Sequence, residues 1–311
     1  MVNEKPRVGI IGIGMVGTPL KRYFEDIKGH IRGTDLFLFD TDPQKGYDDD
    51  VNQADIIFVC VPTPPKPDRT AELLAVESAF DRLKGAKIVV IKSTVPPGTT
   101  ESFQKKYPDH RVLFNPEFLT ERNAWENFIH PDRQIVGFTA KSHDRAPEVL
   151  RLLPAAAFMS PAFPISNSQT QTFRVEITAT EAELIKYAGN IYLTRKVNFA
   201  NAIARATKHL GADYERVQAG MAADTRIGAS HLDVGHGGYR GFGGYCFPKD
   251  LAAFIAHMDQ YGESLTAELL KGDWTFNEKL LATQGLTVED VSVHDDEWIR
   301  KKLKIKMQKS K

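Results

Sequence analysis

The stretch RVGIIGIGMVGTPLKRYF, residues 7–24, restricts the fold of this chain more than any other. An apolar run from Val8 to Ile11 leads through Gly12, Gly14 and Gly17 into apolar residues at helical spacing, so it reads as strand, tight turn and helix. Each glycine answers a separate demand: Gly12 permits the turn, Gly14 lets backbone approach a pyrophosphate, and Gly17 lets the helix pack close to the strand. A pyrophosphate would meet the helix N-terminus, where unpaired N–H groups and the helix dipole favour an anion. A second apolar strand, LFLF, ends in Asp40, at about the distance beyond the glycines where a carboxylate reaches the ribose hydroxyls. A carboxylate there repels a 2′-phosphate, which favours NAD over NADP; the other reading of Asp40 is an ordinary turn residue at a strand end.

Two further apolar runs, DIIFVCV and KIVVI, are continuous rather than alternating. Strands covered by helices on both faces have that pattern, so the first half predicts a doubly wound α/β domain with a parallel sheet. PTPPKPD and STVPPGTT follow those strands, where ligands bind in open α/β sheets. Cys60 lies inside its strand and reads as core, since a buried cysteine packs as a small hydrophobe.

The second half opens with TATEAELIKYAGNIYLTRKVNFANAIARATKHLGA. Thr178 and Glu181 form a capping-box pattern, apolar residues recur at helical spacing for about nine turns, and Gly211 is a C-cap candidate. A helix this long is expected to span two parts of the molecule or to pack on a second subunit. Lys186 and Asn190, four apart, share one face. They could line a polar site or form the wet side of the helix. Further on, GFGGYCFPKD places Cys246 after Gly243 and Gly244 and before Lys249 and Asp250. A neighbouring cation and unpaired N–H groups lower a thiol's pKa, so Cys246 is a candidate nucleophile; a small residue in a glycine-rich turn is the alternative. His231 and His236 lie upstream, but no paired Cys or His spacing of a zinc site occurs, so no metal is expected.

Forty basic and forty acidic side chains balance, which gives no long-range field to draw in nucleic acid. The longest apolar runs fall short of the roughly 20 residues that cross a bilayer. Two cysteines and the polar start MVNEKPR predict a cytoplasmic protein. The tail IRKKLKIKMQKSK reads as a solvated basic helix end.

GIGMVG, VCVPTPP, IKSTVPPGT, NPEFLTE, PDR, AELIKYAGN, DTRIG and GFGGYCFPKD occur in this order across residues 6–280. In that series the chain resembles the UDP-glucose/GDP-mannose dehydrogenase family of nucleotide-sugar dehydrogenases. The resemblance implies a Rossmann-like NAD domain, a long central helix and a small helical domain. It implies oxidation of a primary alcohol to a carboxylate with two NAD+, UDP-glucose being the expected substrate and GDP-mannose the alternative. On this resemblance Cys246 forms a thiohemiacetal and then a thioester, Lys186 and Asn190 steady the oxyanions, and Asp250 is the base or holds a water. Thr94 and Glu117 position the hydrolytic water. Cofactor contacts are implied at Gly12, Gly14, Met15, Val16, Gly17, Asp40, Val61, Thr63, Pro64, Ser93, Thr94 and Glu121. Substrate contacts are implied at Glu117, Phe118, Leu119, Lys186, Asn190, Arg226, Phe242, Gly243 and Lys249. A homodimer through the central helix is expected.

The expected organisation is an NAD-binding domain over 1–172, a central helical domain over 173–280 and a basic tail over 281–311. Family members usually carry a third domain that holds much of the nucleotide, and no second set of apolar strands follows here. The expectations are therefore a compact enzyme, a partner chain that supplies the missing cap, or a non-catalytic NAD-binding subunit. Arg122 stands where the family usually has glycine.

Overall fold

The computed structural model describes residues 5–161, 175–294 and 297–301. The expected basic tail beyond residue 301 lies outside the described residues. The chain divides into two compact units, one comprising the chain up to Pro64 with Ala71–Lys186, the other Pro65–Thr70 and the chain from Tyr187 onward.

The first unit is built on β1 (Val8–Ile11), β2 (Leu36–Phe39), β3 (Ile56–Val59), β4 (Ile88–Ile91) and β5 (Arg111–Phe114), all parallel. The apolar runs are continuous because each strand is buried on both sides. Ile10, Leu38 and Phe58 pack into one core layer, and Ile11, Phe37, Ile57 and Val89 into the opposite one. Burying each such side chain stabilises the fold by about 1.5–3 kcal/mol. Helices α1 (Gly17–Arg22), α2 (Leu74–Asp81) and α3 (Thr99–Lys106) link the strands.

The strand order is β2-β1-β3-β4-β5-β7, with β7 at Gly137–Phe138, so the chain passes from β1 to β2 on one side and then back across β1 to β3 on the other. Ligands in open α/β sheets bind at such a switch point. One edge departs from the parallel expectation: β7 (Gly137–Phe138) runs antiparallel to β5. After β5 the chain passes through α4 (Ala124–Ile129) and β6 (Arg133–Ile135). Helix α5 (Ala146–Leu152) leads to β8 (Phe158–Ser160), which pairs with β6 in a second small sheet.

Helix α6 (Ala179–Leu210) has 32 residues and carries the boundary of the two units between Lys186 and Tyr187. Its start is the expected capping box: the Thr178 N–H and hydroxyl both donate to Glu181 Oε2 at 2.7 Å. Its end turns at Gly211 with φ +67°. The second unit continues with α7 (Tyr214–Ala222), α8 (Phe247–Gln260), α9 (Ser264–Ala282) and α10 (Val288–Val291), around a core of Tyr187, Phe242, Leu251, Phe254 and Leu270. Among the described residues no helix is long and apolar enough to cross a membrane.

Candidate active site

The glycine turn after β1 lies against the end of β3. Gly12 has φ +92°, and a Cβ there would stand 2.8 Å from the Cys60 carbonyl oxygen. A Cβ on Gly17 would stand 1.9 Å from the Gly12 carbonyl oxygen, so only glycine lets α1 start this close to the strand. Gly14 faces open space, with no atom within 4 Å of its Cβ position. Met15 is exposed and Val16 stands at the N-cap position of α1. The turn therefore combines the close packing and the open backbone that a pyrophosphate requires. Cys60 itself is core, and burial pushes its thiol up to about 12.

Asp40 accepts hydrogen bonds from the Ile13 N–H at 2.7 Å, the Asp42 N–H at 2.9 Å and Lys45 Nζ at 2.9 Å. Burial alone would push its carboxyl up, but these donors outweigh it and hold the group below the usual carboxylate range. Asp40 is thus a fixed anion beside the glycine turn. Lys45, which also donates to the Ile13 carbonyl, escaped the sequence reading. Its place depends on a short turn, Pro43–Lys45, capped by Asp42.

The loops after β3 and β4 are tied together. Thr63 donates to the Thr94 carbonyl at 2.7 Å and Ser93 to the Val61 carbonyl at 2.7 Å. Pro64 ends the first stretch of this unit. Beyond Thr94, the start of α3 is held by Glu183, which accepts from the Gly98 N–H (2.6 Å), the Thr100 N–H (2.8 Å) and the Thr100 hydroxyl (2.6 Å). Glu183 is 0% exposed, and burial pushes its carboxyl up to about 7 despite these donors. A folded-state pKa above the ordinary 4.5 means stability that is fully present below the ordinary value and lost as pH rises through about 7. The expected loss on going from about pH 5 to pH 8 is about 3 kcal/mol. Urea midpoints across that range will show it, and Glu183→Gln should flatten the dependence.

Glu117 follows β5. Lys92, buried, donates to Asn115 Oδ1 at 2.6 Å and lies 3.1 Å from Glu117 Oε2. That oxygen has no hydrogen-bond donor among the described residues, whereas Oε1 accepts from the Phe118 N–H. The Phe118 ring is flanked by the Arg133 guanidinium at 3.9 Å and by Lys186 Nζ at 5.7 Å. Leu119 packs on the core, and Glu121 opens the exposed turn Glu121–Asn123. The first unit therefore brings Glu117, Phe118 and Lys186 together.

In the second unit Cys246 is exposed and is the N-cap of α8, a helix of 14 residues. A helix N-terminus favours the thiolate over the thiol. One turn on, Lys249 donates to Asp250 Oδ1 at 2.5 Å and Asn190 Nδ2 donates to Asp250 Oδ2 at 2.5 Å. Burial works to lower the Lys249 pKa, but Asp250 first, and then Cys246 and Tyr245, outweigh it and hold the ammonium charged. Lys249 is thus the partner of Asp250 and a cation within the field of the thiol. Phe242 packs in the core, and Gly243 lies between it and the turn to Cys246. Arg226, with a side chain 88% exposed, forks onto Asp224 at 3.0 and 2.7 Å. Among the described residues no group of three His, Cys, Asp or Glu side chains could hold a metal ion.

Residues 37–153 match the sequence model for the NAD binding domain of the UDP-glucose/GDP-mannose dehydrogenase family, and residues 180–279 match its central domain. The chain belongs to the UDP-glucose/GDP-mannose dehydrogenase family. A UDP-glucose 6-dehydrogenase of Bacillus subtilis is 36% identical over 232 residues, covering 70% of this chain and 46% of that protein. One from Rickettsia bellii is 33% identical over 215 residues, covering 67% and 46%. The chain spans about half the length of the curated relatives it matches. Among solved structures, the UDP-glucose dehydrogenase of Pyrobaculum islandicum superposes with a TM-score of 0.70 at 29% identity, covering 89% of this chain and 69% of that one. The GDP-mannose dehydrogenase of Pseudomonas aeruginosa, at 23% identity and TM-score 0.56, shares the fold.

Proposed function

We propose that this family member is an NAD-dependent nucleotide-sugar 6-dehydrogenase that takes UDP-glucose to UDP-glucuronate in two oxidations. The observation that carries this reading is an exposed cysteine at the N-terminus of α8, followed within a turn by a buried Lys249–Asp250 pair. Bound NAD+ supplies the hydride acceptor for each oxidation. The chain's own groups do the rest. Asp250, directly or through Lys186, takes the proton of the C6 hydroxyl as the hydride leaves, giving an aldehyde. The Cys246 thiolate adds to the aldehyde carbon; a C–S bond forms and the carbonyl electron pair moves to oxygen, where Lys186 and Asn190 hold it. Loss of the second hydride and the hydroxyl proton gives a thioester. Water held by Thr94 and Glu117 attacks it, the C–S bond breaks, and carboxylate leaves with the thiolate restored. A covalent tether keeps the aldehyde in place while the reduced cofactor is exchanged.

The relatives at 33–36% identity include UDP-glucose 6-dehydrogenases, which favours that sugar over GDP-mannose. Parallel assays of NADH formation with both sugars test the choice; a rate with GDP-mannose above that with UDP-glucose would reverse it. Asp40→Asn should weaken NAD+ binding about tenfold, the cost of one charge-assisted hydrogen bond. Calorimetric titration measures this, and an unchanged Kd would remove Asp40 from the ribose site.

The chain is also proposed to dimerise through α6, whose Tyr192 and Phe199 are 59% and 54% exposed. The two stand seven residues apart and so on one face of the helix, and burying them against a second copy would remove exposed apolar surface from water. Light scattering should give twice the chain mass, and Tyr192→Lys with Phe199→Glu should give the single mass. A wild-type monomer would sink this proposal.

A further inference from the structure

The ten residues from Gly235 to Gly244 include six glycines, yet they lead directly to the thiol. So much glycine carries a high backbone entropy that something must remove if Cys246 is to stand in one place. No strand or helix ladder satisfies the loop's backbone between Arg240 and Gly244. Side chains do. Asn277, 0% exposed on α9, accepts the Phe242 N–H at 2.8 Å and donates to the Phe242 carbonyl at 3.0 Å. Gln284, seven residues on, accepts the Arg240 N–H at 2.8 Å and donates to the Arg240 carbonyl at 2.8 Å. Each amide thus reproduces the two bonds a neighbouring strand would make. Gly241, between them, has φ +108°, and a Cβ there would stand 2.5 Å from Asn277 Oδ1. The chain after α9 adds two further bonds, from the Gly244 N–H to the Val291 carbonyl and from Trp298 Nε1 to the Gly237 carbonyl, both 2.8 Å.

We propose that Asn277 and Gln284 are positioning residues for Cys246: their amides lock the loop backbone at Phe242 and Arg240 and so fix where the thiol meets the start of α8. Nothing about either residue touches the reacting atoms. Their contribution is a preorganised nucleophile, and a displacement of about 1 Å at such a group can cost about a hundredfold in rate. The proposal rests on Cys246 being the reacting group, so its test includes a readout independent of turnover.

In the full chain, Asn277→Asp removes the buried donor, and Gln284→Leu removes both bonds at a partly exposed position. Iodoacetamide modification of Cys246 is followed by peptide mass across a pH series; Cys60, buried and with its thiol pushed up, does not compete. Circular dichroism melts establish that each variant folds cooperatively. The expected result is a fall of about tenfold in modification rate at neutral pH and an upward shift of its pH midpoint. A fall in kcat with KM for the sugar within about twofold should accompany it. Modification rate and midpoint equal to wild type in folded Gln284→Leu overturn the proposal, and that variant decides if Asn277→Asp does not fold. A wild-type protein inactive with every nucleotide sugar, but with thiol reactivity that drops in both variants, refutes the proposed function and leaves the positioning role standing.

Discussion

Cys246→Ser is expected to lower kcat for the complete oxidation by about a thousandfold or more, with the fold intact. A serine hydroxyl is a much weaker nucleophile than a cysteine sulfur, so neither the hemiacetal adduct nor its ester would form at a useful rate. Stability should hold because the residue is exposed and stands at an N-cap, a position at which serine is among the best residues. Parallel measurement of kcat and of the thermal midpoint separates the two effects. Turnover within about tenfold of wild type would remove the covalent step from the mechanism.

Asp250→Leu should cost about 3–5 kcal/mol of stability as well as activity. The Asp250 side chain is 1% exposed and that of Lys249 11%, so removing the carboxylate strands a buried ammonium and takes the acceptor from Asn190. Replacing both partners, Lys249→Met with Asp250→Leu, should recover a large part of the loss, because no uncompensated charge remains. Urea denaturation of the single and double variants measures this. Equal losses in both would mean that the pair is held by packing and that its charges contribute little.

The cofactor half of this molecule was legible because its demands are local. Gly12 and Gly17 are required by contacts of 2.8 and 1.9 Å that no Cβ could survive, and Asp40 sits at a strand end that its own apolar run predicts. The parallel sheet followed from strands with no polar face. The antiparallel β7 did not, since two residues, Gly137 and Phe138, carry no periodicity. Lys45 was missed because a lysine in a polar stretch carries no signal until a capped turn aims it at Asp40.

The four-residue spacing of Lys186 and Asn190 placed them on one face of α6, but their partners are distant in sequence: Phe118 for the lysine, Asp250 for the amide. Lys249, for which the resemblance implied a substrate contact, pairs with the adjacent carboxylate of Asp250, a partner its own position in sequence did not announce. Asn277 and Gln284 were invisible for the same reason as Lys45. An amide on a helix or just past its end is informative only once the loop it reads has folded against it.

The number of NADH molecules formed per UDP-glucose consumed tests the central claim most directly. A cysteine that captures the aldehyde predicts two, with UDP-glucuronate as the product and no aldehyde released to a carbonyl trap. One NADH per sugar, with an aldehyde that the trap collects, would contradict it.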